Sequence, residues 1–308
     1  MPSQNINKEL ISVVLCSYNG EAYLSQQLKT IQEQTYQNIE IVIVDDCSTD
    51  ESYAIAETAA QKDDRIRCFR QERNVGYNKN FLSAFEKARG NFVSIADQDD
   101  IWELDKLEYM MVHLWESPEV KMVHTKSARF ADGERPLIKQ AHLYRSFKGN
   151  DLRKLFLFNP VSGHNMIFKK ELLPDIALLP EGLYFDWWIN IVAASNGLIN
   201  ASEKVSTYQR VHSGNATAGA HNRILLQTQL LEVLPLILSY KGLLTEQRKF
   251  GITLLEKMRG SQKSKLNLPL LFFLLKNSAI FFYAKRRLFP YFSYLKMSYK
   301  ISKGRWVV

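Results

Sequence analysis

The feature that most constrains this chain is a pattern repeated through its first 125 residues: a short apolar run, a polar cluster, then an amphipathic stretch. Leu10–Ser17, Ile39–Val44, Ile66–Phe69, Phe92–Ala96 and Val120–His124 read as buried-type strands. Between them, Glu21–Glu33, Asp50–Ala60, Asn78–Ala88 and Glu103–Trp115 carry helical spacing, and Ser48, Thr49 and Asp50 offer N-cap oxygens to the second helix. Apolar runs of about four to eight residues alternating with helices predict an α/β fold: a Rossmann-like, mostly parallel sheet with helices on both faces.

In such a sheet the loops leaving the carboxyl ends of the strands gather at one edge, where ligands bind. Three of these loops are polar: Ser17-Tyr18-Asn19-Gly20, Asp45-Asp46-Cys47-Ser48 and Asp97-Gln98-Asp99-Asp100. None carries a Gly-rich dinucleotide fingerprint, and the chain has no GxxxxGK[ST] loop, which argues against an ATPase of that type. A nucleotide base has a surface in Tyr18 and a polar partner in Asp45, although Asp45 and Asp46 would equally serve caps or turns.

The acidic run is more informative, because the apolar strand before it drives Asp97–Asp100 to the sheet edge. Hard divalent cations favour carboxylate oxygens and keep phosphates as further ligands. A metal there would bridge a nucleotide diphosphate and stabilise it as a leaving group; a surface turn is the competing reading.

From about Phe130 to Pro160 the pattern weakens, and this stretch reads as an acceptor-facing insertion of loops and short helices. Strands at Asn165–Phe168 and near Lys204–Arg210, a helix over Tyr184–Ala194 and a polar loop at Val211–Gly219 follow. Helices resume at His221–Leu238. Leu266–Tyr283 is dense in Leu and Phe, but Asn267, Pro269, Lys276 and Asn277 interrupt it, against the roughly 20 mainly apolar residues of a simple membrane span.

Charge separates the two ends of the chain. The net +8 conceals 15 Lys or Arg against two acids from Lys241 onward, and 25 basic against 30 acidic residues before it. In the tail, Lys285-Arg286-Arg287, Lys296, Lys300, Lys303 and Arg305 alternate with Phe289, Tyr291, Phe292, Tyr294, Leu295, Tyr299 and Trp306. A basic and aromatic surface suits anionic lipid; a helical cap with solvated charges is the plainer alternative. Nucleic acid fits least, since the excess lies away from the acidic sheet edge.

Residues Met1–Glu9 are polar and show no signal-peptide pattern. Cys16, Cys47 and Cys68 have no paired ligand spacing, which fits a reducing cytoplasm. The expected organisation is a catalytic domain over 1–219, with a nucleotide-binding half at 10–125 and an acceptor and closing half at 126–219. A helical, basic, membrane-associating extension over 220–308 completes it.

Val13–Gly20, Ile43–Asp50, Arg73-Asn74-Val75-Gly76 and Asp97–Trp102 with Lys106 together resemble the family 2 glycosyltransferases, enzymes of the GT-A fold; the resemblance covers roughly 10–215. It implies that Tyr18 and Asp45 hold the base and ribose of a nucleotide-sugar, with Asp46, Arg73 and Lys106 also in the donor site. Asp97 and Asp99 match the carboxylates that bind Mn²⁺ or Mg²⁺, Asp99 more directly. Gln98 stands where many members have Ala or Ser, and Asp97-Gln98-Asp99-Asp100 with Trp102 resembles the rhamnosyltransferase-type branch. That branch builds O-antigen, capsular and cell-wall polysaccharides.

Further along, Gly163-His164-Asn165 resembles the strand closing the donor site, with His164 on the acceptor side or structural. Tyr184-Phe185-Asp186-Trp187-Trp188 resembles the acceptor motif in which Asp186 would be the base, although Phe185 stands where the family often has an acid. Read without the family, Asp186 would cap a helix starting at Trp187. Trp187 and Trp188 divide between core packing and an acceptor-sugar platform. Tyr208–Asn215 resembles the loop over the donor diphosphate, with Arg210 on phosphate and His212 on metal or phosphate; a loop histidine bonded to backbone is the alternative.

The resemblance thus implies an inverting transfer from dTDP-rhamnose, a UDP-hexose or a UDP-N-acetylhexosamine to a hydroxyl of a lipid-linked glycan. The basic tail and the unpaired cysteines point to a peripheral place at the cytoplasmic face of a bacterial inner membrane. A sugar nucleotidyltransferase would need a Gly-rich basic loop near the first strand, which is missing, and a glycoside hydrolase two facing carboxylates without a nucleotide. A non-enzymatic basic binding protein leaves the acidic edge unexplained.

Overall fold

The computed structural model describes residues 9–134, 146–212, 225–260, 265–283 and 290–303. Strands and helices alternate as β1 (Ile11–Ser17), α1 (Glu21–Gln32), β2 (Ile39–Asp45), α2 (Ser52–Lys62), β3 (Ile66–Arg70), α3 (Tyr77–Glu86), β4 (Phe92–Asp97), β5 (Ile101–Trp102) and α4 (Lys106–Leu114). There follow β6 (Val120–Ala131), β7 (Met166–Lys169), α5 (Leu173–Ile176), α6 (Phe185–Asn196) and β8 (Leu198–Val211). The remainder is helical: α7 (Leu225–Ser239), α8 (Thr245–Arg259), α9 (Leu268–Lys276), α10 (Ser278–Phe281) and α11 (Pro290–Ser302).

All eight strands join one sheet in the order β3-β2-β1-β4-β7-β6-β8-β5. The first four are mutually parallel; β7 runs antiparallel to β4 and β6, β8 is parallel to β6, and β5 is antiparallel to β8. The chain turns back on itself between β1 and β4, and a parallel sheet opens a ligand crevice outside the strand ends at such a reversal. Alternation along β1 sends Ile11, Val13 and Leu15 to one face with Leu24, Leu28, Met110 and Met111, and Val14 to the other with Phe81, Phe85 and Val93. The second cluster runs on without a break through Leu254, Leu274, Met297 and Ile301, so the helices after residue 220 share the core beneath the sheet.

Several local expectations change. Neither Ser48, Thr49 nor Asp50 is the N-cap of α2, which Glu51 occupies without a side-chain cap bond. Instead Ser52 Oγ and Asp50 Oδ2 accept the N–H groups of Gly20 and Glu21 across the crevice, at 2.8 and 3.0 Å, capping α1. The described part of the supposed acceptor-facing insertion is packed rather than open: Phe147, Leu152, Leu155 and Phe156 are all buried. Strands β6 and β8 extend well past the apolar stretches because their polar residues, such as Thr125, Ser206 and Thr207, are buried in paired backbone. The remainder of the insertion, the loop residues from 213 to 219, and the basic residues 285–287 and 305 lie outside the described residues.

Candidate active site

Strand register brings the polar loops together. Ser17 on β1 lies opposite Asp45 on β2, and Cys16 lies opposite Asp97 on β4, so three strands end at one level. The first two loops are laced to each other: Asn19 N–H donates to Ser48 Oγ at 3.0 Å and Thr49 N–H to Asn19 Oδ1 at 2.9 Å. Gln98 ties the third loop to the first, accepting from Tyr18 N–H at 2.8 Å and donating to Tyr18 C=O at 3.1 Å. Gly20 leaves room for that clamp, since a Cβ there would come within 2.4 Å of the Gln98 amide. The Tyr18 side chain, held by its own backbone, remains 46% exposed at the mouth of the crevice.

The acidic run forms two layers. Behind lie Asp100, His164 and Lys106, all buried. His164 Nδ1 is 2.8 Å from Asp97 Oδ2 and 3.4 Å from Asp100 Oδ2. Lys106 Nζ donates to the His164 carbonyl at 2.5 Å and to Thr207 Oγ1 at 2.8 Å, over the Trp102 ring. Burial pushes the Asp100 carboxyl up, with His164 the strongest charge opposing it and Asp97 adding to it, and burial pulls the Lys106 ammonium well down against the Asp100 charge. Burial alone would lower His164, but Asp100 and Asp97 outweigh it and raise its pKa.

In front lie Asp97 and Asp99, whose side chains keep 27% and 13% of their surface accessible. Asp99 is raised by burial and then by the neighbouring Asp97 charge, and its Oδ2 sits 2.8 Å from His212 Nε2. Among the described residues, the His, Cys, Asp and Glu atoms that converge within 4.8 Å are those of Asp97, Asp100 and His164. Two carboxylates and an imidazole are a chemically suitable set for a divalent cation, with Asp100 and His164 buried behind the more open Asp97.

Asp186 reaches this cluster from α6. Gly163 precedes His164 in a tight 3-10 turn, and a Cβ on it would approach Phe185 Cζ to 2.9 Å, so the missing side chain lets α6 close on the turn. Asn78 fixes the start of the helix, accepting from Phe185 N–H at 3.1 Å and donating to Leu183 C=O at 2.8 Å. Asp186 sits in the first turn with Oδ1 on Trp187 N–H at 2.7 Å; Tyr184, not Asp186, occupies the N-cap. Burial, with Asp97 adding to it, pushes the Asp186 carboxyl up to about 6, the range of a useful proton acceptor near neutrality.

A family-wide sequence profile described as "Glycosyl transferase family 2" matches residues 12–177, more than half the chain. The chain belongs to glycosyl transferase family 2. It is 31% identical over 216 residues to an uncharacterized glycosyltransferase, alr2836, of Nostoc sp., a match covering 67% of this chain and 66% of that protein. It therefore spans just under two thirds of that relative's length. It is 26% identical over 231 residues to the Escherichia coli UDP-Glc:alpha-D-GlcNAc-diphosphoundecaprenol beta-1,3-glucosyltransferase WfaP, covering 73% of this chain and 86% of WfaP. Among solved structures it resembles S. aureus TarS 1-349 in complex with UDP-GlcNAc, with TM-score 0.63, 21% identity, and coverage of 96% and 89%. The GT-A fold is thus shared across the described chain.

Within this family 2 chain, several expected site residues stand elsewhere than supposed. Asp45 is wholly buried, its carboxylate taken by Ser17 Oγ, Ser48 N–H and Ser48 Oγ at 3.0, 2.8 and 2.5 Å, with Arg70 3.6 Å away. Asp46 likewise faces inward, accepting from Val75 and Gly76 N–H at 2.8 and 2.9 Å, and so shapes the loop that carries the exposed Arg73. Both carboxylates brace the strand-end loops from behind. Lys106 is buried, not a surface contact, because its amine is enclosed by His164, Thr207 and Trp102.

Arg210 is also committed within the protein. It pairs with Asp132 at 3.0 Å and donates to Gln26 Oε1 at 2.6 Å and Asp99 C=O at 3.1 Å, between the Tyr23 and Phe130 rings. Trp187 and Trp188 pack into the core and spend their indole N–H groups on Leu155 and Asp175 carbonyls, so neither offers a sugar platform. The exposed rings beside α6 are Tyr184 and Tyr77. His164 lies in a 3-10 turn, not in a strand. Sequence reading gave Asp100 no role of its own within the acidic run and missed Asn78 and the Gln98 clamp; the signal for the clamp was Gln98 itself, a large amide where small residues are usual.

Proposed function

We propose that this chain transfers a sugar, with inversion, from a nucleotide-diphosphate donor to a hydroxyl of a lipid-linked glycan in bacterial surface polysaccharide synthesis. The observation that carries the reading is the approach of Asp186, through the Gly163–Phe185 contact, to the acid motif at the nucleotide edge. One group there suits an acceptor proton, and the others suit a departing diphosphate.

Asp186 takes the proton of the acceptor hydroxyl as its oxygen bonds to the anomeric carbon, while the bond from that carbon to the diphosphate oxygen breaks on the opposite face. Asp97, Asp99 and His212 would hold a Mn²⁺ or Mg²⁺ ion, which would supply positive charge toward the leaving diphosphate. The rear layer is less suited to contact phosphate: Asp100, His164 and Lys106 are all enclosed. It steadies Asp97. Tyr18 offers its exposed ring to the base, and Arg73 lies exposed on the neighbouring loop.

The names of WfaP and of the TarS complex both carry UDP-linked sugars, which favours a UDP-hexose or UDP-N-acetylhexosamine over dTDP-rhamnose. WfaP's acceptor, a sugar on diphosphoundecaprenol, supports a polyprenyl-linked acceptor. No helix among the described residues is long and apolar enough to cross a membrane, and we place the chain peripherally at the cytoplasmic face of the inner membrane.

The purified chain should be incubated with UDP-Glc, UDP-GlcNAc, UDP-Gal or dTDP-rhamnose and a GlcNAc-diphosphopolyprenol, with Mn²⁺ or with chelator. Release of nucleoside diphosphate and the anomeric configuration of the product are the readouts. A retained configuration rules out single-displacement chemistry through Asp186. Full turnover in chelator rules out the metal.

A further inference from the structure

Helix α11 is amphipathic in the wrong sense for a helix that faces water. Its buried side includes Ser293, Ser298 and Ser302 beside Met297 and Ile301. Its outward side shows Tyr291 at 79% exposure, Phe292 at 80%, Leu295 at 50% and Tyr299 at 42%. Tyr291, Leu295 and Tyr299 follow at four-residue spacing and so form one stripe along the helix. Helix α9, packed against α11 and joined to it by the Asn267 N–H to Ser302 C=O bond, exposes Leu268 and Phe272 one turn apart.

A solvated cap does the reverse, hiding its aromatic rings and presenting its serines. The charges around the stripe identify what covers it. Lys296 is exposed on the same helix, Lys303 sets its ammonium 4.9 Å from the Tyr299 ring, and the sequence after Glu256 has no acid at all. Aromatic and leucine side chains flanked by lysines match the boundary between acyl chains and anionic headgroups.

We infer that the outward face of α11, with Leu268 and Phe272 of α9 beside it, docks the enzyme in the plane of an anionic lipid bilayer, inserting Phe292, Leu295 and Tyr299. Both helices are short, so the mode is a shallow one, with the helix lying along the surface. This inference deepens the proposed membrane placement, yet it is testable without donor or acceptor. Loss of sugar transfer and loss of docking are therefore separate outcomes.

The test is flotation of the 308-residue chain with extruded vesicles, either phosphatidylglycerol mixed with phosphatidylcholine or phosphatidylcholine alone. The wild type is expected to float with the anionic vesicles and weakly with the neutral ones. The triple variant Phe292→Ser, Leu295→Ser, Tyr299→Ser, which removes only exposed groups, is expected to partition at least about tenfold less with an unchanged unfolding midpoint. Lys296→Glu with Lys303→Glu is expected to abolish the preference for anionic vesicles. Failure of the wild type to float, or equal flotation of the triple variant, overturns the inference. So does a wild-type dimer that the triple variant splits when neither protein binds vesicles, because the face would then cover a second copy of the chain.

Discussion

Gln98 and Tyr18 are joined twice, amide to main chain, so that a side chain of the acid motif stands in for a strand partner of the first loop. The clamp makes the loop that offers the Tyr18 ring and the loop that carries Asp97 and Asp99 a single unit.

Removing the clamp should loosen the grip on donor more than it slows chemistry. Gln98→Ala deletes both bonds, a loss of about 1–2 kcal/mol, so the donor KM should rise roughly tenfold while kcat stays within about threefold. Gln98→Glu opposes an anionic oxygen to the Tyr18 carbonyl and should be no better. Steady-state kinetics at varied donor decides it; equal falls in kcat for both variants would assign Gln98 to the reaction itself.

Asp186 should set the acid limb of the pH profile. Its carboxyl is raised from 3.8 to about 6 in the folded protein, and only the ionised form accepts a proton. Turnover should therefore climb with pH through about 6 and level off above it, for as long as chemistry limits the rate. Asp186→Asn should cut kcat by about 10²–10⁴ and remove that limb, with UDP affinity little changed by calorimetry.

Lys106 should matter for stability more than for donor affinity. Replacing it by Met leaves the His164 carbonyl and Thr207 Oγ1 without their buried donor, which should cost about 1–3 kcal/mol in urea unfolding. A raised donor KM with unaltered stability would instead return Lys106 to the donor site.

Gly163→Ala tests the placement of the base. The new methyl group meets the end of the Phe185 ring at 2.9 Å, so the ring must move, and a displacement passed along the first turn of α6 would reach Asp186. A shift of that kind should lower kcat by roughly tenfold or more. Phe185→Leu in the same chain should restore part of the rate; an additive loss would mean that the two side chains act separately.

The alternation of strands and helices, the acids at the strand ends, the Gly163–Asn165 and Asp186 segments and the basic tail were all legible in the sequence. The alternation and the strand-end acids are local matters, since period two or 3.6 places residues on a face and an apolar strand expels the carboxylates that follow it, whereas the Gly163–Asn165 and Asp186 segments stood out only through the family resemblance. The short strand β5 was not legible, since two residues carry no period and its pairing with β8 is about a hundred positions away.

Tertiary packing decided the direction in which each polar group points. Asp45, Asp46, Lys106, Arg210 and the two tryptophans have site-like chemistry, but every one is taken by a partner from another element; Arg210 meets Gln26 across 184 positions. Whether a carboxylate faces a ligand or a serine depends on what the fold brings opposite it, and no spacing rule reaches that far. The same holds for α11, whose composition speaks of a basic aromatic helix while only the packed structure turns its serines in and its rings out.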